Sequence, residues 1–218
     1  MIRKTANLFK KTLLLLLLIC ALNTANSILK VNANPTTTVS ILPPTVTINA
    51  PGENVTVDLN ITDVTNLYGY EIMIWYSNSI LNATSAVRPP GHFMEPTDPA
   101  KQFIPKWEIK NNYNATHGRI WLGFTLLAPE APKSGSGILA RITFQGLSIG
   151  TTQIKILYPG YQYPAKLADN TGAPIPNTAQ DGEIIVIPEF PSMVIPLILV
   201  LPFTAAYTLK TIRAKRKQ

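Results

Sequence analysis

The middle of the chain, residues 36 to 187, consists of short runs in which apolar and polar residues alternate. The clearest run is NVTVDLNIT at 54–62, where every second residue from Val55 to Ile61 is apolar. Successive side chains of a strand point to opposite faces, so this run has one apolar and one polar face. Pro, Gly, Asn and Asp separate the runs, and no stretch keeps a helical period. The pattern predicts an all-β sandwich.

Further strands follow from the same pattern. They are predicted at residues 68–76, 118–128, 137–147, 151–158 and 182–187. The segment 89–106 is expected to be a loop, and the whole predicted domain occupies residues 34–187. A chain of about 150 residues can bury a sufficient core without disulfides or metals.

Residues 1–33 have the pattern of a secretory signal peptide. Four basic residues precede an apolar run at 13–22, which is too short to span a bilayer. Cleavage is expected after Ala25 or after Ala33, and the sequence leaves both sites open; an uncleaved N-terminal anchor is the alternative. Either cleavage removes Cys20, the only cysteine. The exported domain is therefore expected to fold without disulfides.

The other end of the chain predicts a transmembrane helix. Residues 192–209 carry no charge, and five basic residues follow them between 210 and 217. Eighteen helical residues reach ~27 Å, which matches a hydrocarbon core. The basic tail places the C-terminus in the cytoplasm and the domain outside. We expect a single-pass protein of the cell surface, with a buried core helix as the alternative.

Just before this tract stand Pro188, Glu189, Phe190 and Pro191. The order of PEFP, apolar span and basic tail resembles the PEF-type C-terminal sorting signal of archaeal surface proteins. In that family an archaeosortase is thought to cut near the motif and transfer the protein to another anchor. Residues 188–218 thus form the third predicted segment, and a plain membrane anchor is the alternative.

The net charge of +7 comes from the two ends of the chain. Ten of the nineteen Lys and Arg residues lie there, while residues 34–188 hold nine basic and eleven acidic residues, a net charge of −2. A domain that is mildly acidic overall is not expected to bind nucleic acid. The basicity reflects membrane topology instead.

Residues for catalysis or metal binding are scarce. The histidines, His92 and His117, are far apart in sequence, and both are expected at the surface of loops. The run DNTG at 169–172 is too short for a calcium loop and predicts a turn. Ser134 lacks the surroundings of a nucleophile elbow. We expect no enzyme, no metal site and no cofactor.

Four sequons for N-glycosylation lie in the predicted domain, at Asn54, Asn60, Asn82 and Asn114. Asn54 and Asn60 fall on the polar face of their strand. A glycan at either position is sterically compatible with the predicted fold.

Several segments together resemble the cohesin domain, in its archaeal, non-cellulosomal type. They are APGENVTVDLNI at 50–61, LYGYEI at 67–72, YSNSIL at 76–81, GSGILARITF at 135–144 and DGEIIV at 181–186. The resemblance implies a jelly-roll β-sandwich of about nine strands. Cohesins bind dockerins, which are calcium-loaded helical modules carried by polysaccharide-degrading enzymes.

The resemblance also implies a partner-binding face. In strand 68–76 the family places polar residues outward, at positions that here hold Gly69, Glu71, Met73 and Trp75. In strand 118–128 the alternation turns Trp121 outward.

The family topology makes these two strands neighbours in the sheet that receives dockerin, with Asn54, Asn60 and Asn82 on or near the opposite sheet. We therefore expect an exposed cluster of Glu71, Met73, Trp75 and Trp121 that contacts a partner. A one-residue error in the alternation, or coverage by loop 89–106, is the alternative.

The leading functional hypothesis is a surface-anchored, non-catalytic module that docks a dockerin-like module and recruits polysaccharide-degrading enzymes. Direct binding of polysaccharide and a structural role as an envelope glycoprotein are the alternatives. A planar row of exposed aromatic rings would favour sugar, whereas a mixed apolar and polar patch that includes Glu71 would favour protein.

Overall fold

A computed structural model describes residues 36–189, which form two β-sheets packed face to face. Within this range the chain forms twelve strands. They are β1 (Thr38–Leu42), β2 (Thr45–Ile48), β3 (Asn54–Leu67), β4 (Gly69–Ser77), β5 (Leu81–Val87), β6 (Gln102–Lys110), β7 (His117–Leu126), β8 (Lys133–Gly146), β9 (Gly150–Ile156), β10 (Lys166–Ala168), β11 (Thr178–Gln180) and β12 (Gly182–Val186).

One sheet has the strand order β11-β1-β3-β8-β5 and the other has β2-β12-β9-β4-β7-β6, with β10 pairing with β4. The all-β prediction is confirmed for this domain. No helix that could cross a membrane occurs among residues 36–189. The predicted signal peptide and transmembrane helix, with Phe190 and Pro191, lie outside the described residues.

The expectation of about nine strands is too low, partly because two prolines divide one strand. Pro43 and Pro44 have no N–H group to donate to a ladder. Before them, β1 pairs with β3 in the five-stranded sheet. After them, β2 pairs with β12 in the other sheet. The short strands β10 and β11 raise the number further.

The expected loop at 89–106 is also shorter than predicted, because β6 begins at Gln102. This strand pairs with β7 from Gln102 opposite Leu126 to Lys110 opposite Arg119. An irregularity between Phe103 and Lys106 interrupts its alternation. The irregularity breaks the period-2 pattern in the sequence of this edge strand, so the alternation of apolar and polar residues does not predict its start.

The core lies between the inward faces of the two sheets, where alternate residues of each strand are buried. Tyr76 of β4 and Phe144 of β8 meet edge to face, with ring centroids 5.1 Å apart. Such contacts between the two sheets bury large apolar areas.

Asn111, at the end of β6, connects the edges of the two sheets. Its Oδ1 accepts a hydrogen bond of 2.8 Å from the Ala83 N–H of β5, and its Nδ2 donates one of 3.1 Å to the Ala83 carbonyl. The same Oδ1 accepts a hydrogen bond from the Tyr76 hydroxyl. One side chain thus satisfies three polar groups that would otherwise be unpaired in the interior.

Candidate partner-binding face

The outward side of the larger sheet carries the residues predicted to contact a partner. Strands β4 and β7 are direct neighbours, with Met73 opposite Trp121. Ile120, Leu122 and Phe124 are buried in the core, so Trp121 points outward. The predicted alternation of both strands is confirmed. We call this side the outer face and define it by the outward positions of β4, β6, β7, β9, β10 and β12, together with Tyr113 and Leu157, which adjoin Trp75.

Met73 is not exposed, contrary to the sequence-based expectation. Its side chain lies on the outer face but is only 7% exposed. Trp121 stands opposite Met73, and the Leu157 N–H donates a 3.1 Å hydrogen bond to the Met73 carbonyl from the other side. Trp75 and Trp121 are half-buried. Met73 is therefore not available to a partner, and the two indoles are only partly available.

Glu71 accepts three hydrogen bonds on this face. Its carboxylate accepts hydrogen bonds from Trp121 Nε1 at 2.7 Å, from the Tyr158 hydroxyl at 3.0 Å and from Lys166 Nζ at 3.3 Å. The hydrogen bond with Tyr158 and the nearby carboxylate of Glu71 raise the pKa of Lys166, although burial acts against them. Glu71 thus orients both Trp121 and the segment that follows β9.

Arg119 is a buried cation in the middle of the outer face, with only 7% of its surface exposed. Its guanidinium lies 4.1 Å from the centroid of the Tyr113 ring and 4.8 Å from that of Trp121. It forms an ion pair with Glu108 at 3.1 Å. A guanidinium between two aromatic rings and a carboxylate is held rigidly, since each partner restricts its rotation.

Glu108 also forms ion pairs with two lysines. Lys106 Nζ lies 3.4 Å and Lys110 Nζ 3.3 Å from its carboxylate. Partial burial raises the pKa of Glu108, but the hydrogen bonds and charges of Lys110 and Lys106 outweigh it and the pKa is lowered. The carboxylate therefore stays ionised and neutralised in place. Lys106 Nζ also lies 5.0 Å from the centroid of the Trp121 ring.

Trp75 is anchored by its indole nitrogen, which donates a 2.8 Å hydrogen bond to the Leu157 carbonyl. The Tyr113 ring meets it edge to face at 5.1 Å. Leu157 is 41% and Tyr113 44% exposed, so these two side chains supply the apolar surface that was expected from Met73.

Sequence patterns did not single out Leu157, Tyr113, Arg119 or Lys166. Tyr113 lies in the turn between β6 and β7, and Lys166 lies in a three-residue strand. Neither segment is long enough to show alternation. Arg119 was detectable, because it shares the outward parity of Trp121 in β7.

Two hollows of about 380 Å³ each indent the outer face. Glu71, Lys166 and Pro105 line one of them. Trp75 and Lys155 line the other. The outer face is therefore an uneven surface of apolar and charged side chains rather than a flat row of aromatic rings.

The sequon asparagines are distributed as predicted. Asn54 and Asn60 lie on β3 and Asn82 lies on β5, all in the five-stranded sheet on the other side of the domain. Asn114 lies in the turn that connects β6 with β7. Glycosylation of these residues stays a prediction.

The remaining candidates lie away from the outer face or at its end. Pro188 and Glu189 are exposed beyond β12. Asp169 accepts hydrogen bonds from the Thr171 and Ala173 N–H groups, which confirms the predicted turn. No group of three His, Cys, Asp or Glu residues within the described part of the chain could hold a metal ion.

His92 is buried, and the expectation of a surface position is wrong. Only 7% of the residue is exposed, and its ring meets Phe124 edge to face at 5.7 Å. The loop between β5 and β6 carries it onto the end of the core. Burial lowers the pKa of His92 below its usual value, the charges of Arg88 and Lys133 act in the same direction, and Glu95 opposes them.

This pKa shift predicts a loss of stability in mild acid. The unfolded chain binds a proton to His92 at its usual pKa of about 6.5, whereas the folded domain resists it, so stability falls as the pH drops below that value. We expect the free energy of unfolding, measured in urea between pH 7 and pH 5, to fall less in His92→Gln than in the native domain. An equal fall in both proteins would contradict the prediction.

Comparisons with known proteins bear on the whole domain. The family model described as "Cohesin domain" matches residues 38–186. No curated protein matches the chain.

Solved cohesins share the fold. The cohesin CaCohA2, in a complex with a variant of the dockerin CaDoc0917, is 23% identical with a TM-score of 0.54, and the match covers 70% of this chain and 100% of that one. The solution structure of CaCohA2 from Clostridium acetobutylicum is 25% identical with a TM-score of 0.51, covering 70% and 92%.

The third cohesin of ScaC from Acetivibrio cellulolyticus, in complex with the ScaB dockerin, is 17% identical with a TM-score of 0.52, covering 69% and 99%. Since the family model extends from β1 to β12 and these folds agree, the chain belongs to the cohesin domain family.

Proposed function

We propose that residues 36–189 form a non-catalytic binding module whose outer face docks a dockerin-like protein module. Membership of the cohesin family supports this role, because the similar structures include cohesins in complex with dockerins. The observation that carries the proposal is the outer face itself. There Trp75, Leu157 and Tyr113 form a partly exposed apolar centre surrounded by ordered charges.

The chemistry of the face supports protein rather than sugar as its ligand. Glu71 and Glu108 lie among the aromatic side chains, and Lys106 and Arg119 lie over the ring of Trp121. This is the mixed patch expected of a protein interface, in which aromatic and Arg anchors are enriched.

We further propose that the module is exported and held at the cell surface by the C-terminal apolar segment. The PEFP motif at 188–191 and the basic tail support this location. A tethered module of this kind would recruit dockerin-bearing proteins that degrade polysaccharides.

The proposal is tested by capture with the isolated domain, residues 36–189. This part should fold alone, because its core cluster lies within residues 39–186 and a similar cohesin has been solved in solution as a separate chain. Immobilised domain is incubated with the secreted proteins of the source organism, with calcium and with a chelator.

We expect a captured protein that contains a duplicated calcium-loop segment and that is released by the chelator. Insoluble polysaccharides are tested in parallel. Retention on polysaccharide without any such protein would contradict the docking role and support direct sugar binding. If neither binds, the envelope role would be favoured.

A further inference from the structure

Positive charge is concentrated on the outer face of a domain that is negative overall. Residues 36–189 contain nine basic and twelve acidic side chains, a net charge of −3. Of these described residues, five basic and three acidic ones stand on the outer face, a net charge of +2. The charged residues of the face are Lys106, Lys110, Arg119, Lys155, Lys166, Glu71, Glu108 and Glu183. The rest of the described chain has four basic and nine acidic residues, a net charge of −5.

The two central carboxylates on this face are already neutralised by neighbouring cations. Glu71 pairs with Lys166, and Glu108 pairs with Arg119 and two lysines. Lys155 on β9 is exposed and forms no ion pair with any residue in the range 36–189. The positive potential of the face is therefore available to a partner.

We propose that the partner of this module is a protein whose contact surface is acidic around an apolar centre. This inference rests on the proposed docking function and specifies its partner. A positive patch attracts a complementary negative one and disfavours a basic surface. The apolar part of the contact corresponds to Leu157 and Tyr113, which are the exposed apolar side chains beside Trp75.

An acidic polysaccharide would satisfy the charge but not the shape of the face. Sugars bind by stacking on free aromatic surfaces, and here two cations lie within 5.0 Å of the centroid of Trp121. Trp75 is likewise in contact with Tyr113. A sugar ring would have to displace these neighbours, whereas acidic side chains can reach the lysines without doing so.

The charge distribution also predicts how the partner approaches. The rest of the domain is negative and repels an acidic partner, while the outer face attracts it. The partner is therefore directed towards the outer face before the two proteins touch. Electrostatic steering of this kind raises association rates by roughly 10- to 1,000-fold and weakens with salt.

The test uses charge reversal with a matched control. The double variant Lys110→Glu/Lys155→Glu inverts two exposed positions of the face. The double variant Lys133→Glu/Arg141→Glu inverts the same number of charges in β8 of the opposite sheet. Binding to immobilised poly-L-glutamate and to polygalacturonate is measured at low and physiological ionic strength, after circular dichroism has shown that all variants are folded.

We expect the native domain to bind poly-L-glutamate at low salt in spite of its net negative charge. Lys110→Glu/Lys155→Glu should bind at least about tenfold more weakly than the native domain, and Lys133→Glu/Arg141→Glu should bind more tightly than Lys110→Glu/Lys155→Glu. Absence of binding, an equal loss in Lys133→Glu/Arg141→Glu, or tighter binding of polygalacturonate than of poly-L-glutamate would overturn the inference.

The same variants separate this inference from the docking function. If the capture experiment identifies a dockerin-bearing partner, its association rate should fall with salt and fall at least about tenfold in Lys110→Glu/Lys155→Glu. If the association rate of the captured partner depends neither on salt nor on this double substitution, the inference is overturned and the docking function is not. Absence of a captured partner, with selective binding of poly-L-glutamate, would count against docking alone.

Discussion

Replacing Gly118 with alanine should destabilise the domain by about 3 kcal/mol or more, because the added methyl group has no room in a packed core. A Cβ at this position of β7 would lie closer than 3.0 Å to three atoms of the Tyr76 side chain. That ring cannot move aside easily. Phe144 packs against it, and its hydroxyl is bound by Asn111.

The effect is measured as the free energy of unfolding in urea, with Gly123→Ala as the control in the same strand. At Gly123 the nearest atom to an added Cβ is the Pro105 ring at 3.1 Å, and Pro105 is exposed at the edge of the sheet. This control should cost less than about 1 kcal/mol.

The identity of the clashing group can also be checked. Adding Tyr76→Leu to Gly118→Ala should recover part of the loss, since the ring is then absent. Equal stabilities of Gly118→Ala and the native domain would show that the packing around Tyr76 is looser than described.

Replacing Trp75 and Trp121 together with alanine should weaken partner binding by at least about 100-fold while the domain still folds. Both indoles stand on the outer face and are half-buried. Their nitrogens are oriented by hydrogen bonds to the Leu157 carbonyl and to Glu71. Rings held in this way can anchor a partner with little further loss of conformational freedom.

The measurement is the affinity for the partner captured by the native domain, together with the melting temperature of each variant. Trp107→Phe is the matched control. Trp107 belongs to β6 but packs against the core, where its nitrogen donates to the Ala86 carbonyl at 2.8 Å. We expect this variant to lose stability and keep its affinity. Unchanged binding in Trp75→Ala/Trp121→Ala would exclude the outer face as the docking surface.

Some parts of this architecture were predictable because their cause is local. Alternation along β3, β4 and β7 depends only on the two-residue period of a strand, so the inward and outward positions were correct. The position of Trp121 follows from that period alone. Pro43 and Pro44 divide the first strand through the missing N–H groups, which is equally local, yet the sheet that each half joins depends on distant partners.

The sequence predicted which side chains of the candidate face point outward but not how much of each is exposed to solvent. Glu71, Met73, Trp75 and Trp121 all point outward, yet Met73 is covered and both indoles are half-buried. Exposure depends on the size of neighbours in adjacent strands, and those neighbours come from remote segments. Leu157 and Trp121 are 84 and 48 residues away from Met73 in the chain.

The sequence was therefore sufficient to predict the all-β class and which residues of β3, β4 and β7 face inward, and its segments 50–61, 67–72 and 135–144 resemble the family to which the chain belongs. Tertiary structure alone decided that Arg119 lies buried between Tyr113 and Trp121, that Lys155 and Lys166 add their charge to the same face, and that His92 lies in the interior. The physical reason is the separation along the chain of the residues that determine each property. The side on which a residue lies is set by its own backbone, whereas what covers it and which charges surround it are set by strands that meet only in the folded sheet.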